Sequence, residues 1–253
     1  MSERFWDIYA FCYDSISHLA PYREMLRIVS EELNLRPKMR VLDAGCGTGN
    51  FEKYLRNRGI ECEIVGIDFS EGMLRRARNK CKDGSTEFCR ADLVHPLPFL
   101  DGSFDRILCI NVLYAVSNAQ RVLDEFYRVL KKGGRLIVVD PREDAKFMQI
   151  FWEHFANTNL RERIFRFIEL CNPLVLSRLI TVGVLNFWID RKYRKGELSY
   201  YSSLSWTRML SCFHGIHIST TYSNQHWIII ADKKPGKNIT SASFFVRLMV
   251  YCS

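Results

Sequence analysis

The chain has 253 residues, of which 47% are hydrophobic and 25% charged, a composition typical of a globular protein with a sizeable core. Its formal net charge of +8 permits a nucleic acid, an anionic membrane surface or an acidic ligand as partner without choosing among them. Nine cysteines without a CxxC pair or zinc-like spacing argue against a disulfide or metal framework, and the charged N-terminal segment lacks the apolar centre of a signal peptide.

Helix and strand patterns alternate along the first part of the chain. An apolar stripe at helical spacing predicts a helix over 21–34, and Pro37 closes that region. The run RVLDAG reads as a short buried strand, and NFEKYLRNRG as a helix that Gly59 ends. EIVGIDFS predicts a second strand, after which Ser70 is placed to cap the helix EGMLRRARNKC.

Three further strands are predicted from TEFCRADL, FDRILCINVL and GRLIVVDP. The helix between the last two has an apolar face made of Val122, Leu123, Phe126, Val129 and Leu130. Strands that alternate with helices in this way indicate a parallel sheet covered by helices on both sides.

The turn after the first strand carries Gly45, Gly47 and Gly49, directly behind Asp43. Glycine permits a tight turn and close backbone approach, and the carboxyl ends of strands are where open α/β sheets bind ligands. A dinucleotide-binding turn has its third glycine one residue later, where this chain has Asn50. A carboxylate before the turn would repel a pyrophosphate, but it suits a ligand that carries an ammonium group.

Four segments within residues 38–142 together resemble the class I S-adenosylmethionine (SAM)-dependent methyltransferases. They are VLDAGCGTGN, VGIDFSEGML, CRADLVHPLPFLDGSFDRILCINVL and RVLKKGGRLIVVDP, in the order that this family has them. The resemblance implies an α/β fold with a doubly wound, mostly parallel, seven-stranded Rossmann-like sheet whose last strand is antiparallel. It also implies SAM as the cofactor and methyl transfer as the reaction.

The resemblance assigns roles around the cofactor. Asp43 would bind the SAM ammonium, and the glycine backbone would pack against its methionine part. Asp68 would accept hydrogen bonds from both ribose hydroxyls, while Asp92 and the Leu93 backbone would hold the adenine. Apolar cover for the adenine would come from Phe69 and Met73. The complete predicted cofactor set is Tyr13, Asp43, Gly45, Cys46, Gly47, Gly49, Asn50, Asp68, Phe69, Met73, Asp92, Leu93 and Asn111.

Catalysis of methyl transfer mainly requires that the acceptor is aligned with the methyl group of the cofactor. A base is needed only if the acceptor loses a proton, and Tyr114 and His154 are the candidates for that role. No metal is expected, because His214 and His217 fall in a strand pattern and an isolated H-x-x-H is a weak signal.

The N-terminal segment ERFWDIYAFCYDSI resembles the part of the ubiquinone and menaquinone methyltransferases that folds over the cofactor. Tyr9, Tyr13 and Asp14 match it, although a helix that packs its aromatics on the core is the alternative. The stretch 144–203 is longer than in compact members of the family, so the substrate is not carried over from that group.

The insertion at 144–203 is rich in apolar and aromatic residues. We expect it to form a helical lid, with the acceptor entering between it and the N-terminal segment, above strands 4 and 5. The predicted aromatic face of this lid consists of Phe147, Phe151, His154 and Phe155. Two alternatives stay open: the insertion buries its own core, or it rests on a membrane with Arg191, Lys192, Arg194 and Lys195 facing lipid phosphates.

We divide the chain into an N-terminal lid (1–36), a SAM-binding core (37–143), the insertion (144–203), a closing helix with the last two strands (204–236) and a tail (237–253). The predicted function is methyl transfer from SAM to a small, apolar or lipid-like acceptor. We expect a cytoplasmic protein without a specific nucleic-acid partner, and leave a peripheral membrane contact open. The alternatives are a nucleic-acid or protein methyltransferase, or a non-catalytic scaffold.

Overall fold

The computed structural model describes residues 1–82, 84, 86–154 and 160–235. Its strands are β1 (Arg40–Ala44), β2 (Glu63–Asp68), β3 (Thr86–Arg90), β4 (Phe104–Ile110), β5 (Leu130–Pro141), β6 (His214–Thr221) and β7 (His226–Asp232). They form one sheet in the order β3-β2-β1-β4-β5-β7-β6. Strand β7 is antiparallel to both neighbours and the other pairings are parallel, so the predicted fold class is confirmed.

Helices cover both faces of this sheet. They are α1 (Glu3–Tyr13), α2 (Ala20–Leu33), α3 (Asn50–Asn57), α4 (Glu71–Lys80), α5 (Ala119–Val129), α6 (Phe147–Glu153), α7 (Leu160–Leu170), α8 (Pro173–Arg194) and α9 (Ser203–Met209). The apolar stripes predicted for α2 and α5 are buried, and they belong to separate cores on the two faces. Burial on both faces explains the apolar runs at 41–42 in β1, 107–109 in β4 and 136–139 in β5.

The predicted helix signals have the expected local structure. Ser70 caps α4, because its hydroxyl accepts a 3.1 Å hydrogen bond from the backbone N–H of Met73. Gly59 follows α3 with a φ of +65°, a conformation that glycine adopts without strain. The backbone N–H groups of Gly45 (2.7 Å) and Cys46 (3.0 Å) donate to the Ile67 carbonyl, so the glycine turn lies beside the end of β2.

The N-terminal helix α1 is tied to the loops that follow β1 and β2. Asp7 accepts hydrogen bonds from the Ser70 hydroxyl (2.7 Å) and the Gly72 backbone N–H (3.0 Å). Just after α1, Asp14 accepts from Thr48 (2.5 Å) and from the Lys80 ammonium (2.6 Å). These contacts hold the N-terminal segment across the carboxyl ends of the strands, and its role as a cover over the cofactor stays a prediction.

The predicted insertion contains three helices, α6 to α8. The longest, α8, buries Leu179, Val182 and Ile189 and packs against α1. Among the helices in the described part of the chain, only α8 is long and apolar enough to cross a membrane by length and composition. Phe155 and the predicted tail 237–253 lie outside the described residues, and the domain boundaries stay predictions.

Candidate active site

A cavity of about 870 Å³ opens at the carboxyl edge of the sheet. Its walls come from the glycine turn, the ends of β2 and β4, the N-terminal helix α1 and the insertion helix α8. Small-molecule sites usually measure about 300–1,000 Å³, so this one lies near the upper limit. One cavity therefore joins the predicted cofactor turn to the predicted acceptor lid.

The glycine turn forms one wall of the cavity. Gly45 has a φ of +82°, and a Cβ atom there would lie 2.2 Å from a methyl carbon of Val112. Gly47 also has a positive φ, and a Cβ atom there would meet only Met73 and Tyr13, at 3.9 Å. Gly45 is thus required by packing against the end of β4, while Gly47 presents bare backbone to the cavity.

Asp68 ends β2 and lines the cavity. Its two carboxylate oxygens accept hydrogen bonds from the backbone N–H groups of Ser70 (2.9 Å) and Gly47 (3.0 Å). Burial raises the pKa of Asp68 to about 6, although the backbone N–H groups oppose that shift. The carboxylate is therefore fixed in orientation and keeps free lone pairs for ligand hydroxyls.

The residues predicted to hold adenine converge at the same end of the cavity. Phe69, Met73, Asp92 and Leu93 all line it. Met73 and Leu93 are buried and supply apolar surface, whereas Asp92 is exposed and accepts a 3.1 Å hydrogen bond from the Val94 backbone N–H. Apolar surface with an exposed carboxylate beside it fits an aromatic base with an amino group.

Asn111 and Tyr13 meet where the cofactor end passes into the acceptor end. Asn111 has a φ of +58°, and its backbone N–H donates a 2.7 Å hydrogen bond to the Val139 carbonyl. Its side chain hydrogen-bonds with Tyr13, which lowers the pKa of Tyr13, but burial prevails and raises that pKa to about 12. The buried Asn111 Oδ1 has no hydrogen-bond partner within the described residues. A hydrogen-bond acceptor atom is therefore available to a ligand beside the glycine turn.

Four predicted cofactor residues do not line the cavity: Asp43, Cys46, Gly49 and Asn50. Asp43 lies buried beside Glu52, and burial together with that second carboxylate raises the pKa of Asp43. The other three are held under the turn. The side-chain amide oxygen of Asn50 accepts a 2.6 Å hydrogen bond from the Lys80 ammonium, Cys46 is buried, and Gly49 lets α4 approach closely.

The two candidate bases have different positions. Tyr114 lines the cavity with its ring 5.6 Å from that of Tyr200, and burial raises the pKa of Tyr114 well above its ordinary value. His154 is fully buried away from the cavity, and its Nδ1 accepts a 3.0 Å hydrogen bond from the Ala20 backbone N–H. This anchoring of α2, away from the cavity, does not fit a catalytic role for His154.

The lid wall of the cavity differs from the predicted one. Phe151 is half-buried against the core and does not line the cavity, whereas Ile150 does. Most of the insertion's contribution comes from α8, through Gly183, Asn186 and Phe187 among others. Apolar residues are spread all around α8, so the sequence alone does not say which of its faces meets the cavity.

Two lining residues, Tyr222 and His226, were not predicted from the sequence. They lie at the turn between β6 and β7, a stretch interpreted only as closing strands. Strand β5 runs parallel to β4 and pairs with the antiparallel strand β7. This pairing brings the turn before β7 to the carboxyl end of β5, at the edge of the cavity. Within the described ranges, no group of three His, Cys, Asp or Glu side chains could hold a metal ion.

This sheet order, the glycine turn and an acid at the end of β2 define a class I SAM-dependent methyltransferase. The comparisons agree: residues 42–138 match the family model described as a methyltransferase domain. The chain is 36% identical over 161 residues to the demethylmenaquinone methyltransferase of Thermotoga maritima, covering 61% of this chain and 69% of that protein. It is 38% identical over 189 residues to that of Tropheryma whipplei, covering 72% and 74%.

Solved structures show the same fold. A SAM-dependent methyltransferase described as putative, from Methanococcus maripaludis, superposes with a TM-score of 0.62 at 17% identity, covering 95% of this chain and 98% of that one. Magnesium protoporphyrin IX methyltransferase from Synechocystis, with bound S-adenosylhomocysteine, gives 0.54 at 17% identity and 86% of each chain. The chain belongs to the SAM-dependent methyltransferase family that contains the demethylmenaquinone methyltransferases, and SAM is its cofactor.

Proposed function

We propose that this methyltransferase acts on a small apolar aromatic acceptor, a reduced prenylated quinone. The single observation that carries the proposal is the continuous cavity between the glycine turn and α8. Two relatives are named for their action on demethylmenaquinone, a quinone of this chemical class. Because the methyl group of SAM is electrophilic, the quinone ring must be in its electron-rich hydroquinone form to receive it.

The cofactor end of the cavity would hold SAM through this chain's own residues. Gly45 and Gly47 would admit the methionine part, Asp68 would accept from the ribose hydroxyls, and Asp92 would accept from the adenine amine. Asn111, with an acceptor atom that lacks a partner in the described structure, would help to hold the ammonium. SAM supplies an activated methyl group, and the residues around it orient that group toward the acceptor end.

The acceptor end is closed by side chains that exclude water. Tyr9, Tyr13 and Tyr114 line it, and burial raises the pKa of each of them, so they stay neutral phenols at physiological pH. Ile150 and Phe187 add apolar surface. A dry pocket of this kind favours an apolar ring and protects the reactive sulfonium from competing reactions.

Transfer of radiolabelled methyl from SAM tests the proposal. The purified protein is incubated with a short-chain demethylmenaquinone reduced by dithionite, with the same compound left oxidised, and with total RNA. We expect label only in the reduced quinone. Label in RNA, or none in the reduced quinone while SAM binds normally, would contradict the proposal and favour another acceptor class.

We further propose that the exposed face of α8 rests on an anionic membrane surface. Ile180, Val184, Phe187 and Trp188 follow helical spacing and are each more than half exposed. Arg191 continues the same face at the end of the helix. Phe187 also lines the cavity, so the apolar face is continuous with the opening through which a lipid-like acceptor would enter.

The charges at the end of α8 complement lipid phosphates. Arg191, Lys192, Arg194 and Lys195 lie within two helical turns, which provides a compact positive cluster next to the apolar face. Two of the four also pair locally, Lys192 with Glu197 and Arg194 with Asp190. An apolar helix face with basic residues at its edge is the arrangement of interfacial helices.

Flotation with vesicles tests this contact. We expect binding to phosphatidylglycerol vesicles and weak binding to phosphatidylcholine vesicles. Ile180→Asp should abolish binding, while Leu100→Asp, at an exposed leucine in the loop before β4, should not. Turnover of a soluble short-chain acceptor should be unchanged in both variants, and equal flotation of Ile180→Asp and wild type would refute the membrane contact.

A further inference from the structure

His226 is the first residue of β7 and lies at the acceptor end of the cavity. It pairs with Pro141 at the carboxyl end of β5 and with Thr221 at the end of β6. Its side chain lines the cavity, yet the residue is only 6% exposed. The imidazole is therefore enclosed by protein except where it meets the cavity.

One nitrogen of this imidazole is not used by the described part of the fold. Its Nδ1 is sealed inside the protein and has no hydrogen-bond partner in the described part of the chain. The ring packs against Tyr222, with 4.7 Å between the ring centroids. Since Nδ1 is sealed and the residue lines the cavity, Nε2 is the nitrogen that a ligand can reach.

Several apolar residues line the same cavity as His226. They include Ile150, Ala145 and Pro141, and Pro141 is the residue with which His226 pairs across the sheet. Burial alone lowers the pKa of His226 to about 3, so the imidazole is neutral at physiological pH. A neutral imidazole offers one donor and one acceptor, and leaving both unused in a dry wall is unfavourable.

We propose that His226 is a specificity-determining residue that hydrogen-bonds to a ring oxygen of the acceptor, a hydroxyl or carbonyl group. This inference rests on the proposed small aromatic acceptor, but it does not depend on the acceptor being a quinone. In this role the histidine selects oxygenated rings over bare hydrocarbon rings and fixes the orientation of the ring. It does not remove a proton, because a weakly basic imidazole is a poor acceptor for the proton of a phenol.

Binding of two unreactive probes tests the inference without turnover. Naphthol and naphthalene have the same ring system, and only naphthol carries an oxygen. We expect wild-type protein saturated with S-adenosylhomocysteine, which has no methyl group to transfer, to bind naphthol about tenfold more tightly than naphthalene, as loss of one buried hydrogen bond predicts. Equal affinity of the wild-type protein for both probes would overturn the inference, whatever the physiological acceptor is.

Variants identify the residue responsible. His226→Phe should remove the discrimination between the probes and raise KM for the reduced short-chain quinone about tenfold, with SAM affinity unchanged. His226→Gln, which keeps a polar group near the position of Nε2, should restore most of the discrimination. His217→Phe is the matched control, because His217 is exposed on β6.

The pH profile separates this role from that of a base. If His226 removed a proton, kcat would fall steeply in His226→Gln and a pH-dependent limb of the wild-type profile would disappear. We expect instead a change in KM with a wild-type pH profile. A loss of kcat at unchanged KM, or retained discrimination in His226→Phe, would contradict the assignment.

Discussion

The side-chain amide of Asn186 in α8 donates a 2.9 Å hydrogen bond to the hydroxyl of Tyr9 in α1. Both residues line the cavity, so this bond joins the N-terminal lid to the insertion across the roof of the site. The second amide hydrogen of Asn186 is donated to the Val182 carbonyl within α8, at 2.8 Å. The amide is therefore held by its own helix in the orientation that reaches Tyr9.

A double-mutant cycle on this pair tests whether the roof acts as a unit. Tyr9→Phe should lower the free energy of unfolding by about 0.5–1.5 kcal/mol, the usual net value of one hydrogen bond. The Asn186→Leu variant should cost a similar amount, and the double variant less than the sum. Urea denaturation measures all four proteins, and strictly additive losses would show that the bond contributes nothing.

Substitution of Gly45 should damage the cofactor site more than any comparable glycine substitution outside it. A Cβ atom at Gly45 would lie 2.2 Å from a methyl carbon of Val112, so Gly45→Ala must displace the Val112 side chain, which lies just after β4. We expect SAM affinity to fall at least about tenfold by calorimetry. Gly59→Ala is the matched control, because Gly59 also has a positive φ but nothing lies within 4 Å of a Cβ atom there.

The control variant Gly59→Ala should lose about 1–2 kcal/mol of stability from backbone strain and keep its SAM affinity. Equal effects on SAM binding in the two variants would mean that strain, and not the approach to Val112, limits this turn.

Asp68 should make SAM binding depend on pH. Its folded pKa is about 6, raised by burial, and hydrogen bonds from ribose hydroxyls favour the carboxylate form. Affinity should therefore be constant above about pH 7 and weaken as the pH falls through 6. Asp68→Asn should bind about ten- to a hundredfold more weakly and lose this dependence. Asp124→Asn, on the exposed side of α5, should behave as wild type in the same titration.

Asp140 should make stability depend on pH in the opposite direction from an ordinary surface acid. Burial raises its pKa to about 8, and its Oδ1 accepts a 3.0 Å hydrogen bond from the Val112 backbone N–H. Between the pKa of an unfolded aspartate and about pH 8, the Asp140 carboxyl is protonated in the folded protein but ionised in the unfolded chain. The stability it contributes is complete at low pH and is lost as the pH rises through that range.

Asp140→Asn keeps the oxygen that accepts from Val112 and removes the titration. Its stability relative to wild type should therefore improve between pH 5 and 8, by at most about 1.4 kcal/mol per pH unit. Denaturation at several pH values measures this difference, to which other buried acids contribute equally in both proteins. Parallel curves would show that Asp140 is ionised in the folded protein.

Sequence by itself determined the sheet core, the glycine turn and the class of cofactor, because these depend on short-range signals. The buried strands appear as apolar runs, Ser70 caps the next helix three residues before its partner, and Gly45 and Gly47 need a backbone conformation that other residues avoid. Asp68 follows a strand whose end must lie at the ligand edge of a parallel sheet. Each of these signals is contained within about ten residues of the chain.

Only the tertiary structure decided which side chains reach the cavity. Cys46 and Asn50 adjoin the glycines in sequence, but they point beneath the turn, and His154 is turned into the core by its bond to Ala20. Conversely, His226 enters the site because β7 pairs with β5, and Asn186 enters because α8 packs across α1. Such placements depend on contacts between segments far apart in the chain, and a local pattern carries no record of which face of a helix or strand its distant partner will cover.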